Sequence, residues 1–469
     1  MGNKTDGREM GDRQPLNILD LNDFVLMKIF SNLSELEKYH CSLVCQHFSS
    51  IATSTYATLM EFDSKLNKYF DGPNDYRENL ENCYGVIKSL GMYWKTIRIS
   101  YKFSILRPDT TLKLVKKFCP NVEHLTLQFD KVESKFVLNN LPKKLKTISL
   151  SAECRCRENW LTPLQYCVNL EHLALNFTLK DNKKRLRDRK KMLRGEFLRH
   201  FPKLKILMFN GCRPGEHALK NCFHNSVNLS VLELNCDLVV KASSRFIEII
   251  LSKLTRLQRI KLQPTQTMRL DQLGLLKDLK FLSLDSWVPN DLNSLLRNLI
   301  SSNRVQCFEV DNCQSFIHSD IISELHKWTN LRYLYVDYME SFDDRFLRQL
   351  ATIGKLNYFH FSGRGRNVSV NEMIGFLVKS INLELFDFHI YYESSDTHTP
   401  DTVSDVQRLK EFQKAITERI KIITIYSTVT SVHCTGGFRV RKENAFQRSL
   451  ASMLNLDLSK SLFGGALQA

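Results

Sequence analysis

One phrase recurs from Trp94 onward and leaves the chain few folds to choose from: apolar, two residues, apolar, one residue, apolar. Its copies are Trp94-Ile97-Ile99, Val122-Leu125-Leu127, Leu145-Ile148-Leu150, Leu170-Leu173-Leu175, Leu204-Leu207-Phe209 and Leu229-Leu232-Leu234. They continue through Leu257-Ile260-Leu262, Leu279-Leu282-Leu284, Val305-Phe308-Val310, Leu331-Leu334-Val336, Leu356-Phe359-Phe361, Leu383-Phe386-Phe388 and Ile420-Ile423-Ile425. Most copies are 22 to 28 residues apart; the steps from Leu170 to Leu204 and from Leu383 to Ile420 are 34 and 37. Residues two apart share one face of a strand, so each copy reads as a short strand. Amphipathic helices are expected before several of them, over Thr111 to Phe118, Phe246 to Leu254, Ile321 to Trp328 and Phe346 to Ile353. A unit this short cannot bury its apolar face alone, and stacking on its neighbours makes one continuous core.

Period and phrase are those of a leucine-rich repeat. The fold class implied is α/β, a curved solenoid with parallel strands inside and helices outside, behind an N-terminal helical module. The repeats are assigned to residues 93–430, with a basic insertion at about 178–195 and a polar loop at about 391–406. Cys212 and Cys313 stand at the ladder position after the strand and read as buried small residues.

Residues alternating with the inward leucines line the opposite face of the strands. In the later copies these include Phe281, Tyr333, Tyr335 and Tyr358, with the acids Asp285, Glu309, Asp311, Asp337 and Asp387. Exposed aromatics at low entropy cost and acids with no Lys or Arg at those positions suggest a substrate-binding surface for a protein segment carrying Lys or Arg. Ordinary strand and loop filler is the competing explanation.

The N-terminal module is Leu21 to Phe48. Val25, Leu26, Ile29, Phe30 and Leu33 fall on one helical face within an arc of roughly 140°. Asn22 is a good N-cap residue, and Ser34 and Glu37 have capping-box spacing for a second helix. Leu36, Tyr39, Leu43 and Val44 recur at helical spacing, followed by Cys45 and Phe48. This pattern resembles the F-box, which docks substrate receptors onto the small adaptor of cullin-RING (SCF) ubiquitin ligases. Together with the repeats it resembles the F-box/leucine-rich-repeat family. The chain departs from the family at Asn22, where Pro is usual, and at Phe24, where an acid is usual; any unusual adaptor affinity is expected to arise there. The resemblance implies adaptor contacts from Leu21, Val25, Leu26, Ile29, Phe30, Leu36, Val44, Cys45 and Phe48, some of which must instead be internal core. Residues 1–15 read as a tail, 16–62 as the F-box, 63–92 as a helical linker and solenoid cap, and 431–469 as a C-terminal cap and tail.

Composition excludes other classes. A 43% hydrophobic content excludes wholesale disorder. The thirteen cysteines lack paired zinc-ligand spacing and read as free thiols of a reducing compartment. No apolar run is long enough to span a bilayer, and Asp6 breaks the myristoylation motif begun by Met1-Gly2. A net charge of +16 favours acidic partners in general. Nine of the fifteen residues from Lys180 to Arg194 are basic, which fits a solvated insertion, a nuclear signal or a nucleic-acid contact. No nucleotide loop, metalloprotease motif or nucleophile elbow occurs, and His433-Cys434 lacks a third orienting group. The expectation is a cytoplasmic or nuclear substrate receptor of an SCF ligase, without catalysis, cofactor or metal of its own. Its partners would be a Skp-type adaptor, through it cullin and RING subunits, and an unknown target protein. Alternatives are a scaffold in a non-ligase complex and a basic nucleic-acid-binding repeat protein.

Overall fold

The computed structural model describes residues 18–56, 61–63, 76–100, 108–132, 138–139, 141–154, 160–178, 195–211, 214–235, 245–264, 268–284, 292–311, 320–365, 370–391 and 422–428. Asp285, Cys212, Cys313, the basic stretch 180–194, the loop after Tyr391 and His433-Cys434 lie outside them. The chain divides between Val122 and Glu123 into two compact units.

The first unit opens with a 3-10 turn at Ile18–Asp20 and three helices, α1 (Asp23–Ser31), α2 (Glu35–Ser42) and α3 (Gln46–Tyr56). The starts of α1 and α2 are chemically marked. Asn22 is extended, and its side-chain oxygen accepts from the Val25 amide at 2.9 Å. Ser34 and Glu37 close a reciprocal capping box: the Ser34 amide donates to the Glu37 carboxylate at 2.8 Å, and the Glu37 amide donates to Ser34 Oγ at 3.3 Å. Ser34→Ala is therefore expected to cost about 1 kcal/mol, read as a lower unfolding midpoint in urea. Leu26, Phe30, Leu36, Phe48, Ile51 and Ala52 form the interior, with Phe30 and Phe48 edge to face at 5.3 Å. Strand β1 (Glu61–Asp63) pairs in parallel with β2 (Thr96–Ser100), with α4 (Tyr76–Leu90) between them in the chain. Helix α5 (Pro108–Phe118) completes the unit. Strand β1 is an element the repeat phrase did not reveal.

The second unit is a leucine-rich-repeat solenoid. Its strands are β3 (His124–Val132), β4 (Thr147–Cys154), β5 (His172–Thr178), β6 (Ile206–Asn210), β7 (Val231–Asn235) and β8 (Arg259–Leu262). They continue as β9 (Phe281–Leu284), β10 (Cys307–Val310), β11 (Tyr333–Phe342), β12 (Tyr358–Gly365), β13 (Leu385–Tyr391) and β14 (Ile422–Thr428). They lie side by side in sequence order, and phrase stacks on phrase: Leu125 pairs with Ile148, Leu173 with Leu207, Leu334 with Phe359. Returning segments carry α6 (Glu216–Asn225), α7 (Arg245–Lys253), α8 (Leu292–Ser302), α9 (Asp344–Leu350) and α10 (Val370–Lys379).

The helix expected over Ile321 to Trp328 is instead a 3-10 turn, Asp320–Lys327. Leu325 and Trp328 are still buried, and the Trp328 indole donates to the Val305 carbonyl at 3.0 Å, so core anchoring is kept in the tighter winding. Gly211 closes β6 at φ +67°, and a Cβ there would meet the backbone carbonyl of Phe177 on the neighbouring coil, so glycine is required.

Candidate functional site

Two surfaces carry the residues singled out by the sequence. On the first unit, burial divides the nine expected adaptor contacts. Leu26, Phe30, Leu36 and Phe48 lie in the module's own core, because the i, i+4 row of α1 that holds Leu26 and Phe30 faces α3. They are corrected from surface to interior. Leu21 and Cys45 are half-buried. Val25, Ile29 and Val44 are exposed, and Leu43 and Phe24 join them; Phe24, Leu43 and Val44 are 71%, 66% and 68% accessible. His47 Nε2 lies 3.5 Å from Asp23 Oδ1. The start of α3, just after Leu43 and Val44, thus lies beside the first turn of α1 that carries Phe24. The result is an apolar surface that the module does not cover. Leu43 and Phe24 were absent from the expected contacts. The clue in the sequence was apolar character outside the buried arc.

On the solenoid, strand register assembles the other candidates. Phe281, Cys307, Tyr333, Tyr358 and Leu385 stand in one row across β9 to β13, and Ser283, Glu309, Tyr335, His360 and Asp387 in the next. The aromatics are not an open cluster. Phe281 and Tyr333 are 0% and 4% accessible and pack with Cys307. Tyr333 stacks on Tyr358 at 4.2 Å, and Tyr335 on His360 at 4.2 Å. Adjacent strands lie about 4.8 Å apart, so rings in register on one face stack on each other rather than stand free. This corrects the expectation of exposure for Phe281 and Tyr333. Tyr335, Tyr358, Glu309, Asp311 and Asp337 are partly accessible, and the Tyr335 hydroxyl donates to Asp337 at 3.1 Å.

Bases from an earlier copy stand near Glu309. Strand β8 brings Arg259 and Lys261 onto this face. Arg259 Nε donates to Glu233 at 2.5 Å, and its guanidinium lies 3.9 Å from the Phe281 ring centre. Burial raises the Glu309 carboxyl above the ordinary carboxylate value, with Lys261, Arg259 and a Ser283 hydrogen bond opposing the rise. Burial likewise pushes the Cys307 thiol up to about 12, which leaves it protonated and inert as a nucleophile.

Glu309 has a pH consequence. A raised folded-state value means the carboxyl is better accommodated neutral. Its favourable contribution is complete below the unfolded value and is lost as pH rises through the folded one. Glu309→Gln is therefore expected to raise the thermal midpoint at pH 7.5, with the gain disappearing toward pH 4. Scanning fluorimetry across that range measures it; a lower midpoint at pH 7.5 would contradict the assignment.

Among the described residues, no group of three His, Cys, Asp or Glu is placed to hold a metal, and no helix is long and apolar enough to cross a membrane.

Residues 18–57 match the F-box domain family, and F-box domains bind Skp-type adaptors. Comparison with curated proteins returned no match. Among solved structures, an internalin (inlF) of Listeria monocytogenes is 15% identical, covering 71% of this chain and 92% of its own, with a TM-score of 0.37. The internalin C2 of the same organism is also 15% identical, covering 49% and 83%, with a TM-score of 0.27. At those scores the likeness carries no argument, and the repeat architecture rests on the strand register described above.

Proposed function

We propose that the chain is the substrate-recognition subunit of an SCF-type ubiquitin ligase, acting in the cytoplasm or nucleus without catalytic residues of its own. The observation that carries this reading is the uncovered apolar surface of Phe24, Val25, Ile29, Leu43 and Val44 on a module whose core is already closed. It joins an F-box match to a repeat array, an architecture that presents broad surfaces to proteins. The F-box holds the Skp-type adaptor and, through it, cullin, RING protein and charged E2. The solenoid holds a target so that its lysines lie near the E2 thioester, and transfer becomes effectively intramolecular.

The target was expected to carry a basic segment for the strand face. The burial of Phe281 and Tyr333 and the presence of Arg259 and Lys261 withdraw most of the support for that choice. Asp285 and the Asp387 side chain lie outside the described set.

The test is co-purification of the full chain from cells with degradation blocked. Cullin recovered with wild type and lost from Leu43→Asp/Val44→Asp supports the reading. Adaptor recovered without cullin would favour a scaffold in a non-ligase complex.

A further inference from the structure

The edge of the solenoid where its strands begin carries a cationic row that neither the strand face nor the F-box explains. Take the residue just before the first leucine of each phrase, from Leu145 to Leu383. It reads Lys144, Asn169, Lys203, Asn228, Arg256, Asp278, Arg304, Asn330, Lys355 and Asn382 in successive coils. Every second coil presents a cation. Lys144, Lys203, Arg256, Arg304 and Lys355 are all exposed.

Backbone bonds keep the coils aligned at this edge. One place after the same leucine, each amide donates to its counterpart one coil earlier, from Glu171 to Lys146 at 2.7 Å through Glu384 to Asn357 at 2.8 Å. Two of the four intervening asparagines orient cations: Lys203 Nζ donates to Asn169 Oδ1 at 2.8 Å, and Arg256 Nη1 donates to Asn228 Oδ1 at 3.0 Å. An amide is neutral, so it orients the cation without cancelling its charge. More bases flank the row: Lys143, Lys146, Lys205, Lys277, Lys280 and Arg332. Lys146 and Lys205 pair with Glu123 and Glu171. The only other acids at these edge positions are Asp278 and Glu384. Between the cations stand exposed apolar side chains, with Val168, Val227 and Ile381 two places before the leucine and Leu275 four before.

We infer that this edge binds an extended acidic segment of the target protein, with acids at every third residue and apolar residues between them. The inference deepens the receptor reading and rests on it. Two coils span about 10 Å, and three residues of an extended chain in the polyproline II conformation, whose every third side chain returns to the same side, span about 9 Å. A segment laid along the edge thus meets a cation with every third side chain. The interleaved aliphatic side chains favour a peptide over nucleic acid, whose backbone offers them no apolar counterpart. Sequence-tolerant nucleic-acid binding would instead call for stacking aromatics along the row.

The test is fluorescence anisotropy with the full chain and three probes: a labelled (Glu-Leu-Ser)4 peptide, a peptide of the same composition with its glutamates contiguous, and a twelve-nucleotide oligo-dT. The edge variant is Lys203→Glu/Arg256→Glu/Arg304→Glu. Lys113→Glu/Lys116→Glu/Lys117→Glu on α5 makes the same change in net charge elsewhere. A Gln version of the edge variant serves if the Glu version fails to fold. The spaced peptide should bind wild type and the α5 variant alike, bind the edge variant at least tenfold more weakly, and weaken with added salt. Equal weakening in both variants, equal binding of the contiguous peptide, or tighter binding of oligo-dT would overturn the inference. Adaptor binding is measured on the same samples. Its absence from wild type would strike the receptor reading and leave the edge result to stand by itself.

Discussion

Leu43→Asp/Val44→Asp should lower affinity for a Skp-type adaptor by at least about 100-fold while leaving the fold intact. Both side chains are about two-thirds accessible, so the unbound protein loses little; surface changes of this kind usually stay within about 0.5 kcal/mol. In the complex, two apolar contacts vanish and two carboxylates are forced into a desolvated interface. A 100-fold loss needs only about 2.7 kcal/mol, well within what a buried unpaired charge costs. Leu26→Ala is a poorer probe: Leu26 is fully buried, and its truncation would reduce binding by loosening the module. Biolayer interferometry on immobilised adaptor, with a circular dichroism control, separates the two. Unchanged affinity in the folded double variant would remove Leu43 and Val44 from the interface.

Tyr333→Ala should destabilise the solenoid by roughly 3 kcal/mol or more, in the range for truncating a buried aromatic. The ring is 4% accessible, stacks on Tyr358 and packs against Phe281 and Cys307. Its hydroxyl is hydrogen-bonded to Tyr358, and burial holds it well above the ordinary phenol value, so deletion leaves both a cavity and a lost partner. Tyr335→Ala should cost less, because Tyr335 is only partly buried. Urea unfolding of both variants reads the difference. A Tyr333→Ala midpoint equal to wild type would mean the ring is not a core element. Loss of target capture in a Tyr333→Ala/Tyr335→Ala variant would thus report unfolding before recognition.

The two cases show where sequence reasoning reached and where it stopped. All thirteen apolar phrases from Trp94 to Ile425 coincide with strands, because period-2 alternation and a fixed repeat length over-determine a parallel solenoid. Asn22 and the Ser34–Glu37 box were legible as helix starts, since capping is a local interaction. Burial was not local. Alternation assigned Phe281 and Tyr333 to the face opposite the leucines, but their packing depends on which residues neighbouring strands bring into register. The same holds for Arg259 and Lys261, whose bearing on this face follows only from the pairing of β8 with β9. The cationic edge is not written in the strand positions; its signal is an alternation of Lys or Arg with Asn in the turns before them. Strand β1 has too few residues to announce itself.

The most direct test of the central claim is ubiquitin transfer in a reconstituted system. Purified chain, adaptor, cullin–RING and E2 are combined with proteins captured by the chain from cells. Ubiquitin conjugates should form on captured proteins with wild type, disappear with Leu43→Asp/Val44→Asp through loss of the adaptor, and fall with the edge variant through loss of the target. Conjugates formed equally well by the Leu43→Asp/Val44→Asp chain, or a wild-type chain that binds adaptor and captured protein yet supports no transfer, would contradict the account.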